Sequence, residues 1–394
     1  MKISAVIAEY NPFHCGHEYQ LKKMREEADA VVVIMGGNFT QRGDAACMEK
    51  HYRAKAALAC GADLIIELPL PYALNTAERF AFGGVQLANA LGCVDELCFG
   101  AETGELYPLE KAAQILQNPQ LYTLTRDFAA QGITFVRARE LAMEQMGFPD
   151  MAQVLQTPNN ILATEYIGWL MKTDSKICPR VIQRVGSDYH DDTLSEFSSA
   201  TGIRSLMRTG KNFSQYIPQA SYNAYEQAVS DGCAPVFLED HDRLLLGRLR
   251  SLSRESYSTL PDLTEGIENR LWQSVRSAVS YTALIEDMKT KRYTHSRIRR
   301  LCLSAVLGID GELCRREPPY IHILGFNETG AQVMGKIHES SKLPMSHSLA
   351  QLAKHSPLAE RFAAAEANST DLYYLLTPSV KPCGLDYTTP AVKL

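Results

Sequence analysis

Ile3-Ser4-Ala5-Val6-Ile7-Ala8-Glu9-Tyr10-Asn11-Pro12-Phe13-His14-Cys15-Gly16-His17 decides the fold: an apolar run of strand length feeds two histidines separated by a turn-forming glycine, and an amphipathic segment from Glu18 to Ala28 follows. That order places both imidazoles at a strand-to-helix junction, where unpaired backbone N–H groups and the helix dipole already favour anions. Imidazoles there can hydrogen-bond phosphate oxygens. When a nucleophile attacks the α-phosphate of a nucleoside triphosphate, charge spreads onto the non-bridging oxygens and the leaving pyrophosphate. Fixed donors then act more on the transition state than on the ground state. His14 and His17 are therefore the expected catalytic donors. The same pair could ligate a metal, but zinc needs further ligands at compatible spacing, and the ten cysteines contain no Cys-x-x-Cys pair. No metal site is expected.

Outward from this junction, strand and helix alternate. Ala30-Val31-Val32-Val33-Ile34-Met35 is a continuous apolar run of the kind buried on both faces of a sheet, and Gly36-Gly37-Asn38 ends it. Helical Lys50 to Cys60 leads to a strand from Leu64 to Leu68, which Pro69 and Pro71 stop. A helix near Ala77 to Leu91 precedes Glu96 to Gly100. The pattern predicts an α/β fold, a Rossmann-like doubly wound parallel sheet with helices on its faces. In such sheets ligands bind beyond the carboxyl ends of the strands. The sequence collects its polar turns there: His14 to His17 after the first strand, Gly36 to Gly43 after the second, Gly100-Ala101-Glu102-Thr103 after the fourth. Pro158-Asn159-Asn160-Ile161 reads as a helix start capped by asparagine, Arg180 to Val185 as a further strand, and Ser187 to Asp192 as a polar loop.

Ser198-Ser199-Ala200-Thr201-Gly202-Ile203-Arg204 opens another helix. Hydroxyls and free N–H groups at its start form an anion cradle, and Arg204, one turn in, can reach terminal phosphates. A plain Ser/Thr cap with a solvated arginine accounts for the segment by itself; beside the histidine pair it reads as a second phosphate motif. Beyond residue 206 helical patterns dominate, at Ser221 to Ser230, Asp240 to Ser253, Gly266 to Met288 and Ser296 to Leu307, broken by a strand-like run from Tyr320 to Asn327. The chain is thus expected to divide into 1–205, carrying the sheet, and a mainly helical 206–394. Lys289 to Arg300 concentrates six basic residues with no acid. A solvated helix start is the ordinary reading of a charge run, yet Tyr293 and several hydroxyls interleave with the arginines, a mixture suited to RNA phosphates and bases.

The bulk numbers narrow the class. At 394 residues the chain exceeds one ordinary core. A net charge of −5 excludes a uniformly basic nucleic-acid coat and leaves room for a local basic patch. The first apolar run is too short for a signal-peptide core, and no stretch approaches membrane-spanning length. Scattered cysteines without a framework read as reduced thiols. A cytoplasmic protein is expected.

His14-Cys15-Gly16-His17 together with Ser199-Ala200-Thr201-Gly202-Ile203-Arg204 resembles the paired signatures of the nucleotidylyltransferase superfamily, a His-x-Gly-His and a later Ser-Ser-Thr-x-Ile-Arg. Alanine stands here in place of the second serine, while Thr201 and Arg204 are kept. Longer strings, Ala8 to His17, Gly37-Asn38-Phe39-Thr40-Gln41-Arg42-Gly43, Pro158 to Leu162, Ser187 to Asp191 and Thr294 to Arg300, are similar to the bacterial tRNA(Met) cytidine acetate ligase family across nearly the whole chain. The resemblance implies a ligase that activates acetate with ATP as acetyl-adenylate, releases pyrophosphate, and passes the acetyl group to N4 of the wobble cytidine of elongator tRNA(Met). Mg²⁺ would neutralise the ATP phosphates, and the wobble base would leave its stack. The resemblance further implies ATP contact from Ile7, Ala8, Glu9, Tyr10, Asn11, Pro12, Phe13, His14, Cys15, Gly16, His17, Glu18, Tyr19 and Gln20, with Gly100, Asn160, Arg184 and Thr201. Catalysis would fall to His14, His17 and Arg204, and tRNA contact to Lys291, Arg292, Arg297, Arg299 and Arg300. Gln41, Arg42 and Asp44 either orient acetate or are ordinary polar groups of a turn. Two rival functions remain at this point. A cofactor adenylyltransferase needs no large basic second half; a non-catalytic RNA-binding protein on a nucleotide-binding scaffold has no need of intact His14, His17, Thr201 and Arg204.

Overall fold

The apolar runs become strands and the alternation becomes layers. A computed structural model describes residues 1–184, 199–264, 266–290 and 293–394. Ile3–Ala8 (β1), Ala30–Gly36 (β2), Leu64–Leu68 (β3), Glu96–Ala101 (β4) and Cys178–Gln183 (β5) pair in parallel in the order β3-β2-β1-β4-β5. The chain winds outward from β1 to β3 and then crosses to β4 on the other side. The winding therefore reverses at β1, which opens a crevice beyond the carboxyl ends of β1 and β4.

All of β2 is buried, as an unbroken Val/Ile run covered on both faces should be. On one face Val6, Val31, Val33 and Ile65 pack with Cys15–Arg25 (α1) and Lys50–Ala59 (α2). On the other, Ile3, Ala5, Ile7, Val32 and Ile34 pack with Ala77–Leu91 (α3) and Pro158–Lys172 (α4). Period-two alternation along each strand produces this division, and each buried Val or Ile stabilises it by roughly 1.5–3 kcal/mol. Between β4 and α4 lie Leu106–Leu116, Pro119–Ala130, Phe135–Gln145 and Pro149–Val154, which form a small helical unit with its own core. The strand-and-helix reading of the sequence passed over it.

After Ala200–Arg208 (α5), helices dominate through His295–Leu307 (α6). The expected single helix from 266 to 288 is two, because Ser280 caps a new start by accepting the Ala283 N–H at 3.0 Å. Ile321–Phe326 (β6) then returns to the sheet, antiparallel to β3, with Val392–Lys393 and Met345–Ser346 beside it. Pro357–Tyr373 (α7) adds Phe362, Ala363 and Ala367 to the core of the first half. The sheet thus does not end at the boundary expected at 205/206. Without β6, β3 would be an edge with a row of unpaired backbone groups. Gly330 permits the close return, since a Cβ there would collide with the Asp63 carbonyl. Among the described residues, no helix is long and apolar enough to cross a membrane.

Candidate active site

The chain leaves β1 through Tyr10, whose φ of 50° turns the backbone sharply, and enters α1 at Cys15 rather than near Glu18. His14 is the cap. Its Nδ1 accepts the Gly16 N–H at 3.1 Å, and the His17 Nδ1 accepts the His14 N–H at 3.2 Å. This is a capping box with histidines in the places usually held by a hydroxyl and a carboxylate residue. The two rings stack, with centroids 3.7 Å apart and planes at 24°. Gly16 is required, because a Cβ there would come 2.9 Å from His14 Cε1.

The hydrogen-bond pattern assigns the tautomers. With each Nδ1 an acceptor, each proton sits on Nε2, so each neutral ring presents one N–H donor. Burial, reinforced by the charge of Arg184, brings the His14 pKa down to about 3. Burial, His14 and Arg184 hold His17 well below its ordinary value. Both rings are neutral donors at neutral pH, where a phosphate would otherwise tend to make them cations.

Arg184 follows β5 directly, and its N–H donates to the Ala101 carbonyl at 3.0 Å. Its stem crosses Gly100, where a Cβ would lie 3.3 Å from Arg184 Cγ. Asn160 holds the turn after β4: its Oδ1 accepts the N–H groups of Glu102 at 3.0 Å and Thr103 at 3.2 Å. The Glu102 carboxylate accepts in return from Asn159 Nδ2 at 2.6 Å and from the Asn160 N–H at 2.9 Å. Neither asparagine caps α4, contrary to expectation. The cap is Thr157, with Pro158 preset for the first helical position, which leaves the asparagine side chains to the neighbouring turn.

The segment from Ser199 to Arg204 reaches the turn that follows β1. Ser199 caps α5 by accepting the Gly202 N–H at 3.2 Å. Arg204 donates to the Asn11 carbonyl at 2.7 Å and to Thr201 Oγ1 at 3.4 Å, and Arg42 donates to the same hydroxyl at 3.5 Å. Glu9 Oε1 accepts the Gln41 N–H at 2.6 Å. Burial raises the Glu9 pKa, and Gln41, Arg42, Arg204 and Arg53 offset that only in part. Burial and the charge of Glu239 likewise raise Asp44. Three distant stretches thus bring two guanidiniums, a hydroxyl and a carboxylate to one edge. Of the segment Ile7 to Gln20, the side chains of Ile7, Tyr10 and Phe13 belong to the core, while Cys15, Tyr19 and Gln20 are half-buried along α1.

Arg53 had no place in the sequence reading. Fully buried, it donates to the carbonyls of Met48, Glu9 and Gly36 at 3.1, 2.6 and 3.1 Å, and to that of Gly37. It thereby ties the ends of β1 and β2 together. Nearby, Lys50 Nζ lies 2.6 Å from Glu67 and 2.5 Å from Asp386, and His322 Nδ1 lies 2.6 Å from Glu67. Burial and the neighbouring Glu67 push Glu366 far above the carboxylate range, so Glu67 carries the charge and Glu366 the proton. A charged residue inside the apolar strand Leu64-Ile65-Ile66-Glu67-Leu68 was the available signal.

The basic helix α6 faces this edge. Arg297 lies 3.1 Å from the Asp262 carboxylate and donates to Thr264 Oγ1 at 2.7 Å, Arg299 lies 3.5 Å from Glu239, and Arg300 donates to the Gln41 carbonyl at 3.2 Å. Gly43, at φ 77°, is the point of contact: a Cβ there would sit 2.5 Å from the Arg300 nitrogen and 2.6 Å from Arg299 Cβ. Arg297 and Arg300 are therefore largely engaged inside the protein, and Arg299 is the most exposed of the three at 37%. Lys291 and Arg292 lie outside the described residues.

Comparison with known proteins gives the family and the fold. The HIGH Nucleotidyl Transferase family profile matches residues 1–386. A tRNA(Met) cytidine acetate ligase of Thermoanaerobacter sp. (strain X514) is 37% identical, with 100% of each chain covered. One from Acetivibrio thermocellus is 35% identical over 98% of this chain and 99% of its own. Among solved structures, Thermotoga maritima TmcAL bound with alpha-thio ATP superposes with a TM-score of 0.93 at 32% identity, covering 100% of both chains.

Proposed function

Since the chain belongs to the tRNA(Met) cytidine acetate ligase family of HIGH nucleotidyl transferases, we propose that it activates acetate with ATP and acetylates N4 of the wobble cytidine of elongator tRNA(Met). Acetate is a poor acyl donor because its leaving group would be oxide. It first attacks the α-phosphate, displaces pyrophosphate and becomes acetyl-adenylate; the cytosine amine then attacks the acetyl carbon and AMP leaves. The observation that carries this reading is the locked histidine pair. Two neutral Nε2–H donors stand at a helix start beyond the central strand, held in one tautomer before substrate arrives, as a preorganised site for developing phosphate charge requires. Thr201, Arg204 and Arg42 are suited to the departing pyrophosphate or the incoming carboxylate.

Among the described residues no group of three or more His, Cys, Asp or Glu could hold a metal ion. Mg²⁺ would arrive on ATP, held by phosphate oxygens and water. Bound there, it would supply charge neutralisation. The helices of 206–394, α6 foremost, would bind the tRNA, with Lys291, Arg292 and Arg299 as candidate phosphate contacts, and the reaction would take place in the cytoplasm. Incubation with ATP, radiolabelled acetate and total tRNA, followed by nucleoside analysis, should yield labelled N4-acetylcytidine from elongator tRNA(Met). Pyrophosphate release without labelled tRNA would instead favour a small-molecule adenylyltransferase.

A further inference from the structure

The transfer step has a requirement that the phosphate machinery does not meet. As the N4 lone pair bonds to the acetyl carbon, the carbon–oxygen bond to AMP breaks with its electron pair going to AMP, and the amine must lose a proton. The histidines cannot accept it. Each Nδ1 already accepts a backbone N–H, each Nε2 already carries its proton, and burial opposes a second proton on either ring. Glu102 is occupied by Asn159 and Asn160. Glu49 is closed by His51, whose Nδ1 lies 2.8 Å from it. Asp44 lies among Glu239, Arg204 and Arg299, and its Oδ1 already accepts the Ala45 N–H at 2.9 Å.

We infer that Glu9 is the general base of acetyl transfer, taking the N4 proton of the cytidine onto its carboxylate. The inference rests on the function proposed above. Glu9 follows β1 directly, in the same segment as the histidine pair, and the Gln41 N–H fixes one of its oxygens at 2.6 Å. Among the described residues, the charged and titratable groups that face it support that task. Arg42 from the second loop, Arg204 from α5 and Arg53 from α2 keep the carboxylate ionised, and the Tyr166 phenol on α4 is neutral because it is buried. Burial works the other way and raises the basicity of the carboxylate, which suits a proton acceptor. Acetate activation consumes no proton acceptor, since acetate arrives as the anion, so the demand on Glu9 belongs to the second step.

Single-turnover transfer from synthetic acetyl-adenylate to elongator tRNA(Met), followed across pH, tests this directly and bypasses ATP activation. In the wild type the rate should fall as pH falls through the raised Glu9 pKa. Glu9→Gln should lower the rate on the order of 100-fold and abolish that acid limb. Glu9→Asp, which keeps a shorter carboxylate and guards against a folding failure in the first variant, should retain the limb at a reduced rate. A Glu9→Gln enzyme within a few-fold of wild type, or an unaltered acid limb in Glu9→Gln, overturns the assignment of the base alone. Failure of the wild type to transfer acetyl to tRNA overturns the proposed function instead.

Discussion

Arg204 and Asn11, 193 positions apart, are joined by a 2.7 Å hydrogen bond from guanidinium to backbone carbonyl. Asn11 also accepts the Cys47 N–H on its side chain at 2.7 Å, so the turn after β1, the second loop and α5 are fastened at one residue. Arg204→Lys keeps the charge but loses the planar fork that spans Asn11 and Thr201. The maximal rate of acetate-dependent pyrophosphate release should drop by about 10-fold or more, beyond any change in KM for ATP. An unchanged maximal rate would mean that the arginine only fastens the loops.

His14→Ala and His17→Ala each remove one donor and half of the capping box. Preorganised donors of this kind contribute on the order of 100-fold to the rate, whereas a lost cap destabilises by about 1 kcal/mol. Steady-state pyrophosphate release should therefore collapse in proteins that still melt cooperatively within several degrees of wild type. Near-normal release from both variants would remove the phosphate role assigned to the pair.

The same burial makes the pair a source of acid sensitivity. The His14 pKa is about 3 in the folded state and about 6.5 in the unfolded chain, so between these values the unfolded state binds more protons. Stability then rises with pH, and acidification from pH 7 to pH 5 should remove about 2 kcal/mol through His14 alone. Urea midpoints at the two pH values measure this. His14→Asn, which can still cap, should show a visibly smaller fall; an equal fall in both proteins would place the titration elsewhere.

Much of this site could be read from the sequence because its elements are local. The strand, the glycine turn and the paired histidines adjoin one another in the chain, and an unbroken Val/Ile run identifies a strand covered on both faces. What stayed hidden is set by long-range packing. Arg53 belongs to no motif in the sequence, and only the fold shows it binding carbonyls at the ends of two strands. β6 stood out as an isolated apolar run among helices, with no local sign that it would close the β3 edge. The arginines of α6 read as a basic surface, although two of them fasten the helix to neighbouring loops. Composition gives a charge but not the direction in which it points.

That last distinction separates Arg299 from Arg300. The Arg299 side chain is 37% exposed beside Glu239, whereas that of Arg300 is 12% exposed with its guanidinium on the Gln41 carbonyl. Arg299→Ala should weaken tRNA binding and reduce the slope of log affinity against log salt by about 1, the signature of one lost phosphate contact. Arg300→Ala leaves a carbonyl without its donor, a loss of about 1–3 kcal/mol, in the loop that positions Arg42. It should therefore lower thermal stability and slow pyrophosphate release measured without tRNA, while the salt slope stays near wild type. Filter binding at stepped salt, run beside that release assay, tests both variants. A lowered salt slope in Arg300→Ala with undisturbed pyrophosphate release would make the buried arginine a tRNA ligand and would undo the role in the loop assigned to it.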